Sequence, residues 1–419
     1  MLRLFTGRAG TGKTAAVINE IHTAVLEKRG RRLLIVPEQY SHEAERELCR
    51  VCGDSMSLYA EVMSFTGLAR RIASQQGGGA APYLDKGGRL LCMALALGQV
   101  APRLRLFGAA ARRPQMQQTL LGAVDELKTA CVTPDALEAT AARCPGYLGD
   151  KLRDLALVLA AYDAVTAQGH ADPTDRLTHL AERIPESTLG HTGQFYLDGF
   201  TDYTRQELAV VRALLAAGAD VTVCLTLDAL SGGSEIFGAA RRTARVLLDM
   251  ADDCGVPATV ETCPARAADT PLRVLEQQLF SYTSAHFDDP AHTICVRTAD
   301  DLTAECAWAA SRALQLVQSG CRWRDIAIAA RGFSDYAPAL ERMCAYYGVP
   351  LYFARRTDLL QKPLVALIRA AYDIVTGGWD AEDVSAYLRT GLAGLTPEET
   401  DTLENYVLLW SIRGSAWTR

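Results

Sequence analysis

The chain has 419 residues, of which 49% are hydrophobic and 22% charged, with a net charge of −6. It is long enough for two or three globular domains and too apolar to be disordered. No run of about 18 apolar residues appears, which argues against a membrane-spanning helix, and a surface basic throughout is excluded, so any path for nucleic acid has to be local.

Leu2, Leu4 and Phe5 form a short apolar run that predicts a buried strand. Gly7-Arg8-Ala9-Gly10-Thr11-Gly12-Lys13-Thr14 follows and fits the phosphate-binding pattern G-x-x-x-x-G-K-[ST]. An amphipathic helix comes next, with Ala16, Val17, Ile21, Ala24 and Val25 on one face and Gly30 at its end. The chemistry needs these residue types. A loop without bulky side chains lets backbone N–H groups turn inward around phosphate oxygens, and the helix N-terminus adds a favourable dipole. In such a loop Lys13 reaches the β- and γ-phosphates of ATP and the Thr14 hydroxyl ligates Mg²⁺. A loop starting this early leaves no room for a cleaved signal peptide, so a cytoplasmic location is expected.

Arg31–Pro37 reads as a second buried strand, which makes strand, loop, helix and strand a βαβ unit. Glu38 and Gln39 stand at its carboxyl end, the edge where open α/β sheets bind ligands. A helix is expected over Glu43–Cys52, a strand over Val62–Thr66 and a helix over Leu68–Ala73. Gly77–Gly79 then opens a loop. Asp85–Ile184 is almost wholly helical in period, with breaks at Pro102, Pro114, Pro134 and Pro145. Sheet character returns at Gln194–Asp198. An apolar strand that ends in Asp is the expected companion of a phosphate loop, because it sets a carboxylate beside Thr14 on the Mg²⁺ shell. Gly199 follows where many ATP-hydrolysing motors carry a carboxylate that orients the attacking water, and glycine has nothing to orient it with.

A helix over Gln206–Ala217, a strand over Asp220–Leu227 and a helix over Ile236–Cys254 complete this part, and Cys263–Pro271 reads as a linker. A second α/β unit is expected from Thr293, with strands over Thr293–Arg297, Trp323–Ala330 and Val349–Phe353, helices over Leu302–Ser319 and Tyr336–Tyr347, and a mainly helical remainder. The abrupt apolar end at Trp410–Arg419 suggests a fragment of something longer.

Twelve cysteines lie in apolar surroundings, and Cys49 and Cys52 form the one C-x-x-C. Free thiols in a reducing compartment are the simpler reading, a redox or zinc site the alternative. Arg103/Arg105, Arg112/Arg113, Arg241/Arg242/Arg245 and Arg355/Arg356 are basic clusters, each either a solvated face or a phosphate contact.

Taken in order, these pieces resemble the motor core of UvrD-like helicases. Gly7–Thr14 resembles their first motif, and Val62–Ala69 is similar to the T-x-H-S-F-A stretch that touches DNA. Tyr162 with Asp172-Pro173-Thr174-Asp175 looks like the Y…D-F-x-D-L segment. Asp198-Gly199-Phe200-Thr201-Asp202 lines up with D-E-F-Q-D, and Asp325–Arg331 resembles the strand that opens the second motor domain. There are departures. Gly199 replaces the catalytic Glu, Thr226–Leu230 lacks the γ-phosphate-sensing Gln of G-D-x-x-Q, and there is no room for an upstream adenine-reading Gln. A complete phosphate loop on a degraded core, with I-V-P-E-Q after it and D-G-F-T-D later, resembles the AddB (RexB) family, one of the two components of bacterial AddAB helicase–nucleases.

That resemblance implies a P-loop NTPase of RecA-like, UvrD type: an α/β fold with a parallel-sheet domain over 1–75 and 190–265, a large all-helical insertion over 76–189, and part of a second RecA-like domain over 266–419. It implies ATP and Mg²⁺ as cofactors, held by Gly7, Arg8, Ala9, Gly10, Thr11, Gly12, Lys13 and Thr14, with Thr14 and Asp198 on the metal. Arg331 either approaches the γ-phosphate or is an ordinary strand-end arginine. Ser64 and Phe65 are the candidate DNA contacts, with a core role for Phe65 as the alternative. The implied partners are an AddA-type motor/nuclease subunit in a heterodimer and single- and double-stranded DNA ends, with no membrane. The implied role is double-strand-break processing for recombinational repair, in which AddB-type proteins are associated with recognising the hotspot Chi. A nuclease domain and an iron–sulfur cluster belong to the family's C-terminal part and are not visible in this sequence. ATP binding with little or no hydrolysis is therefore expected. One alternative is an active single-stranded-DNA translocase in which Asp202 or Glu38 replaces the missing carboxylate. Another is a small-molecule kinase or signalling NTPase, which lacks its lid or guanine-reading motif here.

Overall fold

The structure, a computed structural model, describes residues 1–53, 56–77, 83–169, 171–264, 270–281, 286–289, 291–353 and 359–418. The chain divides into two compact units, Met1–Cys295 and Val296–Arg419.

The first unit is built on one six-stranded sheet, all parallel: β1 (Leu2–Gly7), β2 (Arg32–Ile35), β3 (Ala60–Met63), β4 (Gln194–Leu197), β5 (Asp220–Thr226) and β6 (Ala258–Thr262), in the order β3-β2-β4-β5-β1-β6. The near-continuous apolar runs read from the sequence are strands covered on both faces. Alternation sorts their side chains. Leu2, Leu4, Leu33, Ile35, Phe195, Leu197, Val221 and Val223 join one core. Phe5, Leu34, Val36, Tyr196 and Cys224 join the other. On the second face lie α1 (Lys13–Leu26), α2 (Ser41–Cys52) and the short α3 (Met56–Tyr59). On the first lies α4 (Phe65–Gln76). Each fully buried Leu, Ile or Phe contributes about 1.5–3 kcal/mol, so the two-sided covering is what holds the sheet.

The strand expected over Val62–Thr66 stops at Met63. Ser64 takes an extended conformation and accepts a hydrogen bond from Gly67 N–H, so Phe65 opens a helix instead. Strand β6 was not legible: all five of its residues are exposed, and it holds its edge position through backbone pairing with β1.

Between α4 and β4 the chain is helical, as its period predicts: α5 (Lys86–Val100), α6 (Pro114–Thr129), α7 (Pro134–Arg143), α8 (Tyr147–Thr166), α9 (Arg176–Arg183) and α10 (Thr188–Thr192). Pro114 and Pro134 stand at helix starts, where a missing N–H costs nothing. Helices α5, α6 and α8 share their own core, centred on Met93, Leu97, Val124, Leu159 and Tyr162. Beside it is a buried charge cluster. Lys128 reaches Asp163 at 2.8 Å, Asp175 at 2.7 Å and Asp172 at 3.4 Å, and Arg89 reaches Asp172 at 3.1 Å. Burial pushes the Asp172 carboxyl upward, but the Thr174 N–H and the two cations outweigh it and hold it below the usual carboxylate range. From the other side, α11 (Arg205–Ala216) sends Gln206 Nε2 to Thr174 O at 2.8 Å and Thr178 Oγ1 at 3.0 Å. The sheet is thereby tied to the 172–178 segment. The unit closes with α12 (Gly238–Asp253) and α13 (Pro271–Gln278). Helix α13 starts at Pro271, the last residue of the expected linker Cys263–Pro271, and Glu276 on it holds Arg8 of the first unit at 3.0 Å.

The second unit contains α14 (Leu302–Gln318), α15 (Phe333–Tyr346), α16 (Pro363–Thr376), α17 (Ala381–Leu388) and α18 (Pro397–Trp410). Cys306, Ala310, Ala313, Leu340 and Cys344 pack α14 on α15. The strands expected over 293–297, 323–330 and 349–353 are not formed: Trp323–Asp325 is a short 3-10 helix, and the rest of these segments joins no sheet among the described residues. A strand exists only through its ladder, and apolar Val296 and Tyr352 are left 91% and 89% exposed. The Arg355/Arg356 cluster and Gly78–Gly79 lie outside the described residues.

The charge cluster makes a test. Asp172→Ala removes an acceptor shared by Lys128 and Arg89, which keep Asp163, Asp175 and Asp125, and is expected to lower unfolding stability by about 1–3 kcal/mol. Arg105→Ala, which removes a surface pair with Asp150, is expected to cost under about 1 kcal/mol. Urea denaturation of both variants checks the contrast.

Candidate nucleotide site

Strand β1 delivers the chain to the carboxyl edge of the sheet, and Gly7–Gly12 turn it back into α1. The turn depends on glycine: Gly10 and Gly12 have φ of 74° and 96°, which side chains rarely adopt. Gly7 is held differently, since a Cβ there would meet Thr11 Oγ1 at 2.8 Å. Thr11 Oγ1 donates to Arg8 O at 2.9 Å and braces the loop from within.

Lys13 is the buried cation of the loop. Its Nζ donates to Gly7 O at 2.7 Å and Arg8 O at 2.9 Å. Burial pushes its pKa down, against the pull of nearby carboxylates including Asp198. Thr14 Oγ1 donates to Asp198 Oδ2 at 2.6 Å. Asp198 stands just past β4, two strands from β1, with β5 between them. Cys224 on β5 lies in that gap and was not foreseen. Burial and the neighbouring Asp198 push its thiol pKa well up, so it is neutral. Among the described residues no cluster of three metal-ligating side chains exists. One carboxylate with one hydroxyl is the sparse protein set that Mg²⁺ takes when phosphates supply the other oxygens, so the residues fit that ion.

A cleft of ≈ 510 Å³ opens over Gly10, Lys13, Thr14, Asp198, Cys224 and Thr226. Neither Asp202 nor Glu38 lines it, and both are exposed. Gly199 has φ of 82°, and a Cβ there would sit 3.3 Å from the Pro37 ring. The backbone itself thus disfavours the carboxylate that motors carry at this place. Asp228, where a γ-phosphate-sensing motif would fall, serves its own turn instead. It accepts from Ser234 N at 2.7 Å and Ala229 N at 2.8 Å and pairs with Arg241 at 3.0 Å.

The other foreseen residues are placed as follows. Phe65 is 5% exposed and packs on Phe200 and Tyr203, with ring centroids 5.5 and 6.4 Å away. Ser64 caps α4. Arg331 is an exposed residue of the second unit, two positions before α15. All twelve cysteines, Cys49 and Cys52 included, are free. Arg241 and Arg105 are paired to acids, while Arg112, Arg113, Arg242 and Arg245 are not buried. The Arg8–Glu276 pair was missed because α13 was not read, although L-R-V-L-E has a helical period.

The fold and site define an α/β protein with a doubly covered parallel sheet and a glycine-built, lysine-bearing turn at the carboxyl edge of β1. Residues 4–276 match the family model described as ADDB, N-terminal, and the chain belongs to that family. It is 37% identical over 432 residues to the B subunit of an ATP-dependent helicase/deoxyribonuclease from Desulforudis audaxviator, covering 99% of this chain and 37% of that protein. Proteins of the same name from Acetivibrio thermocellus and Heliobacterium modesticaldum are 32% and 35% identical, over 100% and 99% of this chain and 38% and 36% of theirs. The chain thus spans under two-fifths of the length of these relatives. No helix among the described residues is long and apolar enough to cross a membrane.

Gly199→Glu tests the backbone argument. It is expected to cost about 1–3 kcal/mol of stability and to leave ATP turnover unchanged. Thermal melting and a phosphate-release assay check both.

Proposed function

We propose that this chain is the nucleotide-binding, helicase-like N-terminal region of an AddB-type subunit, in a helicase–nuclease that processes DNA double-strand breaks. In this reading the first unit is a RecA-like P-loop domain with a helical insertion, and the second is part of another RecA-like domain. The observation that carries it is the constellation of Lys13, Thr14 and Asp198 on one edge of the sheet.

Lys13 leaves the carbonyls of Gly7 and Arg8 for phosphate oxygens, exchanging two neutral acceptors for charged ones. The backbone N–H groups at the start of α1 face the same oxygens. Thr14 and Asp198 would hold Mg²⁺, which would neutralise phosphate charge. Nothing at Gly199 orients a water, and neither Asp202 nor Glu38 lines the cleft, so turnover is slow or absent. Nucleotide stabilises a conformation rather than driving a stroke. The partners in this reading are an AddA-type subunit and DNA, which crosses the carboxyl edge of the first unit's sheet near Ser64 and Phe65. Buried Phe65 positions that edge rather than stacking on a base. The compartment is the cytoplasm.

Equilibrium titration with ATP–Mg²⁺ is expected to show binding, weakened at least about tenfold by Lys13→Ala. Phosphate release with single-stranded DNA present is expected to stay at background. A robust rate abolished by Lys13→Ala would contradict the reading. DNA binding in a filter assay is expected to fall steeply with added salt; salt-independent retention would count against it.

A further inference from the structure

The C-x-x-C of the chain closes α2, away from the phosphate loop. Cys49 and Cys52 occupy the last turn, and Gly53, with φ of 67°, ends the helix. Residues three apart on a helix stand on one face with Cβ atoms about 5–6 Å apart, so the two thiols are neighbours. A third sulfur joins them: the Cys49 thiol donates to Met56 Sδ on α3 at 3.3 Å.

The three sulfurs differ in burial. Cys52 and Met56 are 8% and 7% exposed and belong to the core on the second face of the sheet. Cys49 is exposed. The cluster therefore has a packed floor of one thiol and one thioether, with one thiol open to solvent. Burial first, and then the neighbouring Cys49, push the Cys52 thiol up. It is neutral as it stands, and a bound metal ion is the partner that takes its proton away.

What the cluster lacks decides which ion it suits. Zn²⁺ takes a tetrahedral set of Cys, His, Asp or Glu ligands, and iron–sulfur clusters take a full set of cysteine thiolates. Among the described residues no three His, Cys, Asp or Glu side chains come together. Two thiols and a thioether make a soft, sulfur-only set of low coordination number, and such ligands select Cu(I). The carboxyl end of α2 carries the negative end of the helix dipole, which favours a cation there.

We propose that Cys49, Cys52 and Met56 form a Cu(I) site. The ion displaces both thiol protons to solvent. Two copper–thiolate bonds and one copper–thioether bond form, and no oxidation state changes. The bound ion ties the end of α2 to α3, which runs directly into β3. The site is independent of the nucleotide reading.

The test is anaerobic titration of the full 419-residue chain with Cu(I), in competition with bathocuproine disulfonate. One tight equivalent is expected. Cys49→Ser, at an exposed position, is expected to weaken it at least about a hundredfold. Cys321→Ser removes another exposed thiol and is expected to leave it unchanged. Met56→Leu, a swap that conserves volume, is expected to weaken it about tenfold, and X-ray absorption to show the sulfur neighbours of copper falling from three to two. Because two protons leave, affinity is expected to rise about a hundredfold per pH unit below the thiol range. No tight equivalent in the unaltered chain would overturn the proposal. So would unchanged uptake in Cys49→Ser, an equal loss in Cys321→Ser, or three sulfur neighbours persisting in Met56→Leu.

Discussion

The hydrogen bond from Thr14 to Asp198 joins residues 184 positions apart, and most of the first unit exists to make it possible. Neither side chain reaches the other unless β1 and β4 end at the same edge with a single strand between them. That order requires β5 to return beside β1 after β4 has been laid against β2. It also requires a long helical excursion between β3 and β4 to begin and end near the sheet. The buried charge cluster around Asp172 and the bonds from Gln206 to Thr174 and Thr178 fasten that excursion. Parallel strands leave all their carboxyl ends on one edge, so loop, carboxylate and cleft collect there.

In the proposed reading the same edge supplies the binding part of the chemistry and leaves out the hydrolytic part. Lys13 is buried, oriented by two carbonyls and held against its desolvation cost, which is pre-organisation for an anion. Asp198 is aimed at Thr14. By contrast Gly199 sits in a left-handed conformation beside Pro37, and Asp228 spends its acceptors on its own turn. Binding needs the first group of features. Hydrolysis needs a group in place of the second.

The parts of this legible in the sequence share a physical cause. β1, β2, β4 and β5 are apolar runs bounded by turn residues because they are buried on both faces, and the loop announces itself because only glycine fits its backbone. What was not legible depends on partners rather than on local pattern. β6 is exposed at every residue and is a strand only because β1 has an open edge. The extended segments of the second unit have strand-like sequence and no ladder. Cys224 enters the site solely through strand order, and Phe65 leaves the surface because Phe200 and Tyr203 cover it. The C-terminal remainder reads as mainly helical, but nothing in the pattern predicted that Leu364, Ile368, Tyr372 and Val375 on α16 would all be exposed.

In the proposed reading Thr14 and Asp198 form a metal-dependent nucleotide site without a turnover group. The most direct measurement is the ATP affinity of the chain with Mg²⁺ and with EDTA, for the unaltered protein and for Asp198→Ala. Mg²⁺ is expected to tighten ATP binding in the unaltered chain, and Asp198→Ala to remove most of that gain while weak metal-free binding persists. An unaltered Mg²⁺ response in Asp198→Ala would contradict it.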